Sequence, residues 1–326
     1  MSRPPQSSLW LVDWSDSEDD DFRHAWRAAS IEARVLRTRP LGATVGTRRH
    51  RLRSWPSYFG LAARGLRRAD GGVLVAWQPL AGALAGLLRH GRRPPLVLLN
   101  PLLDLHAEGF VHGLAVRGAR RADRVVFFSR GGCAAARTLG FAHSRTSFVP
   151  LGVRARADRP NDPGAYLLAA GREGRDWHTL AQAAAGLPLE VWVLGPSSLP
   201  RSAPLRLLPP VDRLRFLELL AGAAAFVVPL VDPSRTAGQL AVLDAMSVGR
   251  AVVATRAQGT VDYVSDDTGI LVPPGDAHAL HAALECVCAP SVTGPMGEAA
   301  LAAARGPLSL ERFVRDVDDV ARSLLS

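Results

Sequence analysis

The sequence predicts an α/β protein built on parallel sheets, and one stretch carries most of this prediction. Ala224 to Leu230 is an apolar run of strand length, and Ala251 to Thr255 is a second run, rich in β-branched residues. Between them lie a polar loop and the helix-forming segment Ala237 to Val248, which Gly249 would close as the residue just past its end. A strand, helix, strand order of this kind is the repeating unit of a parallel sheet.

The same alternation runs through the rest of the chain. The first half contains six predicted strands, at Leu9 to Asp13, Ala33 to Thr38, Gly72 to Trp77, Leu96 to Asn100, Arg124 to Phe128 and Ser147 to Pro150. Helical patterns lie between them, near Asp20 and within 47–70, Leu80 to His90 and Glu108 to Ala122. The second half opens with strands at Ala165 to Ala170 and Leu189 to Leu194, joined by a helix from near Asp176 to Gly186.

Length and composition predict two domains. A chain of 326 residues is long enough for two cores, and 48% hydrophobic with 21% charged residues is ordinary for a globular protein. The polar, proline-rich segment Arg154 to Pro163 has the composition of a linker. We therefore predict domains at 1–153 and 154–306, followed by a helix in 307–326 with Leu310, Phe313, Val317 and Val320 at helical spacing.

The net charge of +9 and the pI near 10.8 do not by themselves indicate nucleic-acid binding. The chain has no lysine, its arginines are spread along the sequence, and no zinc finger, basic heptad region or aromatic RNA-binding motif is present. We expect no nucleic-acid partner. Three cysteines, Cys133, Cys286 and Cys288, indicate neither a disulfide framework nor a metal site.

The segment 47–69 leaves two alternatives open. Tyr58, Phe59, Ala62 and Leu66 fall on one face of a predicted helix that carries seven arginines. Such a basic amphipathic helix can pack on a sheet, or it can make peripheral contact with an anionic membrane. Because the N-terminus lacks the pattern of a secretion signal and no run has the length of a membrane span, we expect a cytoplasmic protein.

Candidate binding residues follow two strands of the predicted second domain. In parallel sheets, ligands bind beyond the carboxyl ends of the strands. One such place is the loop Asp232 to Gln239, where Gly238 would let a ligand approach the backbone and the next helix would favour an anion. The other contains Arg172 and Arg175, which could grip a phosphate or simply face solvent. Asp244 lies in a largely apolar helix and requires either a ligand or an ion pair with a nearby arginine.

The first half has polar residues at the corresponding strand ends, namely Gln78, Asn100 and Ser129, with His106 and His112 nearby. Taken alone, each histidine fits an ordinary surface or packed position better than a catalytic one. The acidic run Ser15 to Asp21 suits the first turn of a helix, or it could attract a cationic acceptor.

Several segments, in this order and spacing, resemble the retaining family 4 glycosyltransferases. They are RRADRVVFFSR with VPLGVR, then GREGRDWHTL, then SRTAGQLAVLDAMSVGRAVVATRAQGTVDYVSDDTGILVPPGDAHAL, and they span about the last two thirds of the chain. The resemblance implies the GT-B fold, in which two Rossmann-like domains with parallel sheets face each other across a cleft. In that fold a C-terminal helix often returns to the first domain.

The resemblance also implies roles for particular residues. Arg172 and Arg175 take the positions that bind the donor diphosphate, and Asp244 takes the position that contacts the ribose. The position that presents a carboxylate to the transferred sugar holds Thr236, which is neutral. Asn100 falls where relatives often have a histidine near the sugar. The implied catalytic residues are Arg172, Arg175 and Asn100, and the implied donor-binding residues are Gly171, Thr236, Ala237, Gly238, Gln239 and Asp244.

The implied reaction is sugar transfer from a UDP- or GDP-sugar, bound in the second domain, to an unidentified acceptor bound mainly in the first. The resemblance implies retention of configuration, with neither a metal ion nor a cofactor. Because Thr236 departs from the family pattern, a second interpretation stays open, in which the chain is a non-catalytic GT-B-like protein that binds a nucleotide or a partner.

Overall fold

A computed structural model describes residues 8–13, 16–38, 48–69, 71–91, 94–101, 110–158, 160, 162, 164–171, 174–195 and 204–325. The chain divides into two compact units. The first unit comprises Met1–Val149 and Leu310–Ser326, and the second comprises Pro150–Ser309. Each unit is built on a six-stranded sheet.

All strand pairs in both sheets are parallel. The first unit contains β1 (Ser8–Val12), β2 (Ala33–Arg37), β3 (Val73–Ala76), β4 (Leu96–Leu99), β5 (Arg124–Phe127) and β6 (Thr146–Phe148). The second contains β7 (Tyr166–Ala170), β8 (Glu190–Leu194), β9 (Leu205–Leu207), β10 (Ala225–Val228), β11 (Ala251–Thr255) and β12 (Gly269–Val272). The predicted α/β class with two Rossmann-like parallel sheets is confirmed.

Helices lie between most successive strands, and three more follow the last strand, β12. They are α1 (Asp16–Ala28), α2 (Arg48–Arg68), α3 (Pro79–Leu88), α4 (Phe110–Ala119), α5 (Arg130–Thr138), α6 (Trp177–Ala183), α7 (Arg213–Ala221), α8 (Gln239–Ser247), α9 (Ala277–Cys286), α10 (Pro290–Arg305) and α11 (Leu310–Arg322). Four of them, α5, α7, α9 and α10, were not among the predicted helices. Among the described residues, no helix combines the length and apolar character needed to cross a bilayer.

The strand order gives each sheet one point where the chain reverses its direction of winding. The order is β2-β1-β3-β4-β5-β6 in the first unit and β12-β11-β10-β7-β8-β9 in the second. The reversal therefore lies between β1 and β3 in the first unit and between β7 and β10 in the second. Ligands of open α/β sheets bind outside the carboxyl ends of the strands at such switch points.

Both sheets are covered by helices, so their central strands are apolar along their whole length. Every residue of β3, β4 and β10 is buried. Helices α3 and α4 approach so closely that a Cβ on Gly86 would collide with the carbonyl of Gly118. Glycine at this crossing allows backbone-to-backbone packing.

Helix α11 packs against the first unit, although it follows the second in sequence. The Phe313 ring is buried, with ring centroids 6.2 Å from Phe22, 6.1 Å from Trp77 and 5.5 Å from Phe128. Of the other residues on the predicted apolar face, Leu310 and Val317 are buried and Val320 is half-buried. Val314, which was not predicted, is buried as well.

Helix α2 lies against β1 and α3, and its buried face differs from the prediction. Leu61 and Ala62 are fully buried, whereas Phe59 is 48% exposed, so its predicted place on the apolar face is wrong. The reason is the position of Phe59 around the helix axis. The inward face of α2 is formed by Tyr58, Leu61, Ala62 and the close-packed Gly65, and Phe59 lies outside this face.

Residues 16–21 of the acidic run are part of α1, because the helix begins at Asp16, four residues before the predicted start near Asp20. Asp19 is buried and pairs with Arg23 at 2.7 Å and Arg37 at 3.6 Å. This ion pairing compensates the charge of Asp19 within the unit, while Asp20 stays exposed.

Candidate functional site

The loop after β7 is held in a compact turn by Arg175. Its Nε donates to the carbonyl oxygen of Ala170 at 2.8 Å, at the carboxyl end of the strand. Gly171 has φ 138°, and a Cβ at this position would collide with the Arg175 guanidinium. Burial lowers the pKa of Arg175 from its ordinary value. The structure thus supports Gly171 and Arg175 as one turn, whereas Arg172 lies outside the described residues.

Backbone contacts join this turn to the end of β10. Arg175 forms an isolated bridge with Leu230, and the amide of Val231 donates to the carbonyl of Gly174 at 3.0 Å. Since β7 and β10 are neighbours, these contacts lie at the switch point of the second sheet. Gly174 and Arg175 of the first predicted site segment therefore contact the residues that directly precede the second segment, 232–239.

Helix α8 begins at this edge with a glycine as its N-cap. Its N-cap is Gly238 in the left-handed region, with φ 94°, and no side chain within the described part of the chain caps the first turn. A Cβ on Gly238 would lie 3.2 Å from Thr260 and 3.3 Å from Val228, which leaves little room for a side chain. The first amides of a helix have no partner within the helix, so those of residues 239–241 can bind an anion.

Gln239 is the first residue of α8 and is only 7% exposed. Its Nε2 is buried and has no hydrogen-bond partner among the described residues. A buried amide without a partner costs about 1–3 kcal/mol, which a polar ligand or an ordered water at this place would recover.

The loop after β11 packs against the loop 232–239. Gly259 lies so close to Ala237 that a Cβ would collide with the Ala237 carbonyl, and the amide of Gln258 donates to the carbonyl of Pro233 at 2.9 Å. The Thr260 hydroxyl donates to the carbonyl of Thr255 at 2.6 Å. The segment Gly259 to Thr260 thus fixes the position of the loop 232–239. Sequence reasoning gave these residues no role, although a Gly-Thr pair soon after a buried strand is a detectable turn signal.

The structure starts α8 two residues later than predicted. Thr236 and Ala237 lie in the loop before the helix, because Gly238 leaves the helical region. Thr236 is half-buried. By resemblance it stands where the family pattern has a carboxylate, and its hydroxyl is neutral.

Asp244 forms an ion pair, which is one of the two alternatives that the sequence left open. Both of its carboxylate oxygens accept from Arg213, at 2.6 Å from Nη1 and 2.5 Å from Nη2. The Asp244 side chain is 13% exposed and that of Arg213 is 51% exposed. Arg213 was missed because α7 was not predicted. Asp212 caps that helix through its side chain, and an aspartate before an apolar segment is the signal that could have located it.

The switch point of the first sheet carries a cluster of three polar side chains, of which only Gln78 was predicted as a candidate site residue. Asp13 follows β1, and its Oδ2 accepts from the Tyr58 hydroxyl at 3.0 Å. Gln78 follows β3, hydrogen-bonds the Asp13 side chain, and accepts from the Ala81 amide at 2.7 Å to cap α3. Burial raises the pKa of Asp13, and burial together with the Asp13 charge raises the pKa of Tyr58 to about 12.

Asn100 directly follows β4 in the same unit. It has φ 37°, a left-handed conformation that asparagine tolerates better than most residues, and its amide donates to Val126 at 2.7 Å. Ser129 caps α5 by accepting from the Gly132 amide at 2.9 Å. His112 is half-buried on α4, and His106 lies outside the described residues. Asn100 belongs to the first unit, whereas Arg175, Gly238 and Asp244 belong to the second.

Comparisons with known proteins agree with this architecture. A family model described as glycosyl transferases group 1 matches residues 159–289, within the second unit. HepE from Anabaena, solved in complex with UDP and glucose, has a TM-score of 0.68 at 17% identity, covering 97% of this chain and 99% of HepE. The fold is GT-B. This GT-B chain is also similar to the sucrose-phosphate synthase of Thermosynechococcus elongatus, with a TM-score of 0.75 at 16% identity, covering 98% and 99% of the two chains.

A third similar GT-B structure is the lipopolysaccharide outer core galactosyltransferase WaaB in its apo form, with a TM-score of 0.68 at 12% identity, covering 96% of this chain and 99% of WaaB. No curated protein matches the chain in a sequence search. The matched family and the GT-B fold together support a glycosyltransferase.

Proposed function

We propose that the protein transfers a sugar from a nucleoside diphosphate sugar to an acceptor. The observation that carries this proposal is the start of α8, where backbone amides without a side-chain cap lie beside the Gly171 turn at the switch point of the second sheet. This edge belongs to the segment that matches the glycosyl transferases group 1. The presence of UDP with glucose in HepE supports a UDP-sugar as donor, with a GDP-sugar as the alternative.

The diphosphate is the leaving group, and the second unit stabilises its growing charge. As the bond between the sugar C1 and the phosphate oxygen breaks, negative charge develops on that oxygen. The amides at the start of α8 and the Arg175 guanidinium are the donors at this edge, and Arg172 joins them by resemblance. Fixed donors of this kind can replace a divalent metal ion, so we propose a reaction that needs none.

We propose retention of configuration through substitution on one face of the sugar. Thr236 offers no carboxylate to form a covalent intermediate with C1. In the proposed step the acceptor oxygen bonds to C1 on the face that the phosphate leaves, and the acceptor proton passes to the departing phosphate oxygen. The Gln239 amide, buried and without a described partner, would donate to the sugar or to the phosphate.

We propose that the acceptor binds at the switch point of the first unit. The Asp13 carboxylate, oriented by Tyr58 and Gln78, can accept from an acceptor hydroxyl. Asn100 directly follows β4, the strand beside β3. The chemical class of acceptor is therefore a hydroxyl compound. Peripheral membrane contact through 47–69 and a cytoplasmic location stay predictions.

A non-catalytic nucleotide-binding protein is the second candidate. Two observations favour it: Thr236 is neutral, and Asp244 is paired with Arg213. This candidate and the transferase differ in one result, because only the transferase releases the nucleoside diphosphate from its sugar.

One experiment separates the two candidates. The full chain is incubated with UDP- and GDP-sugars, water serves as acceptor, and NMR follows the released sugar with and without EDTA. We expect the anomer of the donor to be released first, and we expect EDTA to leave the rate unchanged. Arg172→Ala should lower the rate more than a hundredfold, since losing about 3 kcal/mol of leaving-group stabilisation has that effect.

Arg206→Ala is the control, because Arg206 is an exposed arginine of the same unit on β9. Release of the opposite anomer first would contradict retention, and loss of activity in EDTA would contradict metal independence. An unchanged rate in Arg172→Ala would contradict the assignment of the phosphate site. Nucleotide binding without any sugar release would favour the second candidate.

A further inference from the structure

Strand β2 and helix α2 form one continuous basic surface on the first unit. Strand β2 is the edge strand of the sheet, and α2 lies against it. Nη2 of Arg34 donates to the carbonyl oxygen of Arg68 at 3.1 Å, and Nη2 of Arg64 lies 3.5 Å from the carbonyl oxygen of Arg37. Because each contact joins the strand to the helix, the side chains of the two elements belong to a single surface.

This surface carries positive charge that the described residues leave uncompensated. Four exposed arginines contribute to it, namely Arg34, Arg64, Arg67 and Arg68. None of the four forms an ion pair with another residue that the structure describes. Residues 31–38 and 48–69 together contain nine arginines and a single carboxylate, Glu32. An excess of one charge on one surface attracts an anionic partner.

The outward side of α2 also exposes an aromatic ring. Phe59 is 48% exposed, and it alone is exposed among the phenylalanines whose side chains the structure describes. Phe59, Ala63 and Arg67 follow one another at intervals of four residues, so they lie along one ridge of the helix. A Cβ on Gly60, on the same side, would meet no described atom within 4 Å. The ring therefore stands on an open side of α2, away from the inward face.

Two structural roles account for part of this surface. Arg67 and Arg68 lie in the last turn of α2, where a cation offsets the helix dipole. A charge such as that of Arg34 on an edge strand discourages pairing with another chain. Neither role involves the exposed ring of Phe59, and neither applies to Arg64, which lies before the last turn.

We propose that Phe59 and the four exposed arginines, together termed the basic face, bind the surface of an anionic lipid bilayer. The guanidinium groups pair with lipid phosphates, and the Phe59 ring enters the boundary between headgroups and acyl chains. Helix α2 thus packs on the sheet with one face and contacts the membrane with the other, so both alternatives that the sequence left open apply. The basic face contains no candidate site residue, so this inference is independent of the proposed function.

The chemistry of the basic face favours a bilayer over a nucleic acid. Single-stranded nucleic acids bind in grooves where several aromatic rings stack on successive bases. The basic face instead has one aromatic ring, which stands on the convex side of a helix beside the small residues Gly60 and Ala63. A ring in that position can enter the headgroup region without displacing a neighbouring side chain.

Co-sedimentation of the full chain with lipid vesicles tests the inference. The two probes are vesicles of phosphatidylcholine alone and vesicles that also contain phosphatidylglycerol. We expect binding to the anionic vesicles that falls as salt is added, and at least about tenfold weaker binding to the neutral ones. The combined variant Arg34→Ala, Arg64→Ala and Arg67→Ala should weaken binding to anionic vesicles about a hundredfold, because each arginine near such a surface contributes about fivefold.

Phe59→Ala separates insertion of the ring from attraction between charges. It should weaken binding to anionic vesicles about fivefold, since about half of the ring surface is still available for burial. The dependence of binding on salt should stay that of the unaltered chain, because this change removes no charge.

The matched control is the combined variant Arg117→Ala, Arg120→Ala and Arg121→Ala. These three arginines are exposed in the same unit, on α4 or directly after it, and their removal changes the net charge equally. Helix α4 packs against α3, which in turn packs against α2. Charges at that separation from the basic face are screened by salt, so the control should bind anionic vesicles within about twofold of the unaltered chain.

Circular dichroism checks that each variant is folded. If the combined variant of the basic face does not unfold cooperatively, Arg67→Glu takes its place and should weaken binding more than about tenfold, because it reverses a charge on the outward ridge. The inference is overturned if the unaltered chain does not prefer anionic vesicles, if both combined variants lose equal binding, or if a folded variant of the basic face binds as the unaltered chain does. Tighter binding to a single-stranded oligonucleotide than to anionic vesicles, lost in the same variants, would also overturn it.

Discussion

At the scale of single residues, Asp13 shows how burial and hydrogen bonding act against each other. Burial raises the pKa of its carboxyl group, and the hydrogen bonds from Tyr58 and Gln78 lower it, with burial the larger effect. In the folded chain Asp13 therefore holds its proton to a higher pH than in the unfolded chain.

The raised pKa of Asp13 makes the stability of the folded chain depend on pH. Between the unfolded and the folded pKa the folded state binds more protons, so the free energy of unfolding falls as pH rises through that window. Asp13→Asn cannot ionise, and we expect it to lack this part of the decrease. Urea unfolding between pH 4 and pH 7 should show the stability difference between Asp13→Asn and the unaltered chain shifting in favour of the variant as pH rises.

Asp20→Asn provides the comparison for this measurement, because it removes an exposed carboxylate from the neighbouring helix α1. Any pH dependence that the two variants share is not specific to the buried position of Asp13. A curve for Asp13→Asn that runs parallel to that of the unaltered chain would show that the surroundings of Asp13 do not disfavour its ionised form.

Some residues of the candidate site could be predicted from the sequence. Gly238 follows from the need for close backbone approach before a helix, and Asp244 follows from a carboxylate in an apolar helix. The partner of Asp244 did not follow, because Arg213 lies 31 positions earlier in sequence and only the packing of two helices brings them together. Gln78 was predicted at a strand end, but its grouping with Asp13 and Tyr58 did not follow, because the three residues come from the ends of β3 and β1 and from α2.

At the scale of secondary structure elements, continuous apolar runs were the reliable signal. Strands β7, β10 and β11 are buried on both faces and appear in the sequence as unbroken apolar segments. Strand β9 has three residues, two of them exposed, and lies at a sheet edge, so it carries no such signal. The start of α8 was placed too early because propensity favours Ala237 in a helix, whereas the backbone of Gly238 decides otherwise.

Helix α11 offers a direct test of how the C-terminal segment stabilises the first unit. Phe313 is buried against Phe22, Trp77 and Phe128. Phe313→Ala should lower the free energy of unfolding by about 3–5 kcal/mol, because it removes a buried ring and leaves a cavity. Denaturant unfolding followed by tryptophan fluorescence measures this loss, since Trp77 belongs to the same cluster.

Phe59→Ala is the matched control for this test. Phe59 is an exposed phenylalanine of the same unit, so its removal should change the free energy of unfolding by no more than about 0.5 kcal/mol. Equal unfolding midpoints for the two variants would contradict the role of α11 as part of the core of the first unit.

At the scale of the whole molecule, each unit has candidate site residues at the switch point of its sheet. In the first unit these residues are Asp13, after β1, and Gln78, after β3. In the second unit they lie in the loops after β7 and β10. The sequence predicted the two parallel sheets, because each strand and helix leaves its own local pattern. The strand order, and hence the switch points, depends on long-range pairing that local patterns do not encode.

The central claim is that the second unit binds a nucleoside diphosphate, and thermal unfolding of the full chain with UDP, GDP, their sugar derivatives and the matching monophosphates tests it most directly. At a hundredfold excess over Kd, a ligand stabilises the folded state by about 2.7 kcal/mol, which for a chain of 326 residues corresponds to a rise in Tm of about 4 °C. We expect such a rise for at least one nucleoside diphosphate, with a smaller rise for its monophosphate. If no nucleoside diphosphate or sugar nucleotide raises the Tm of the folded chain, the account is contradicted.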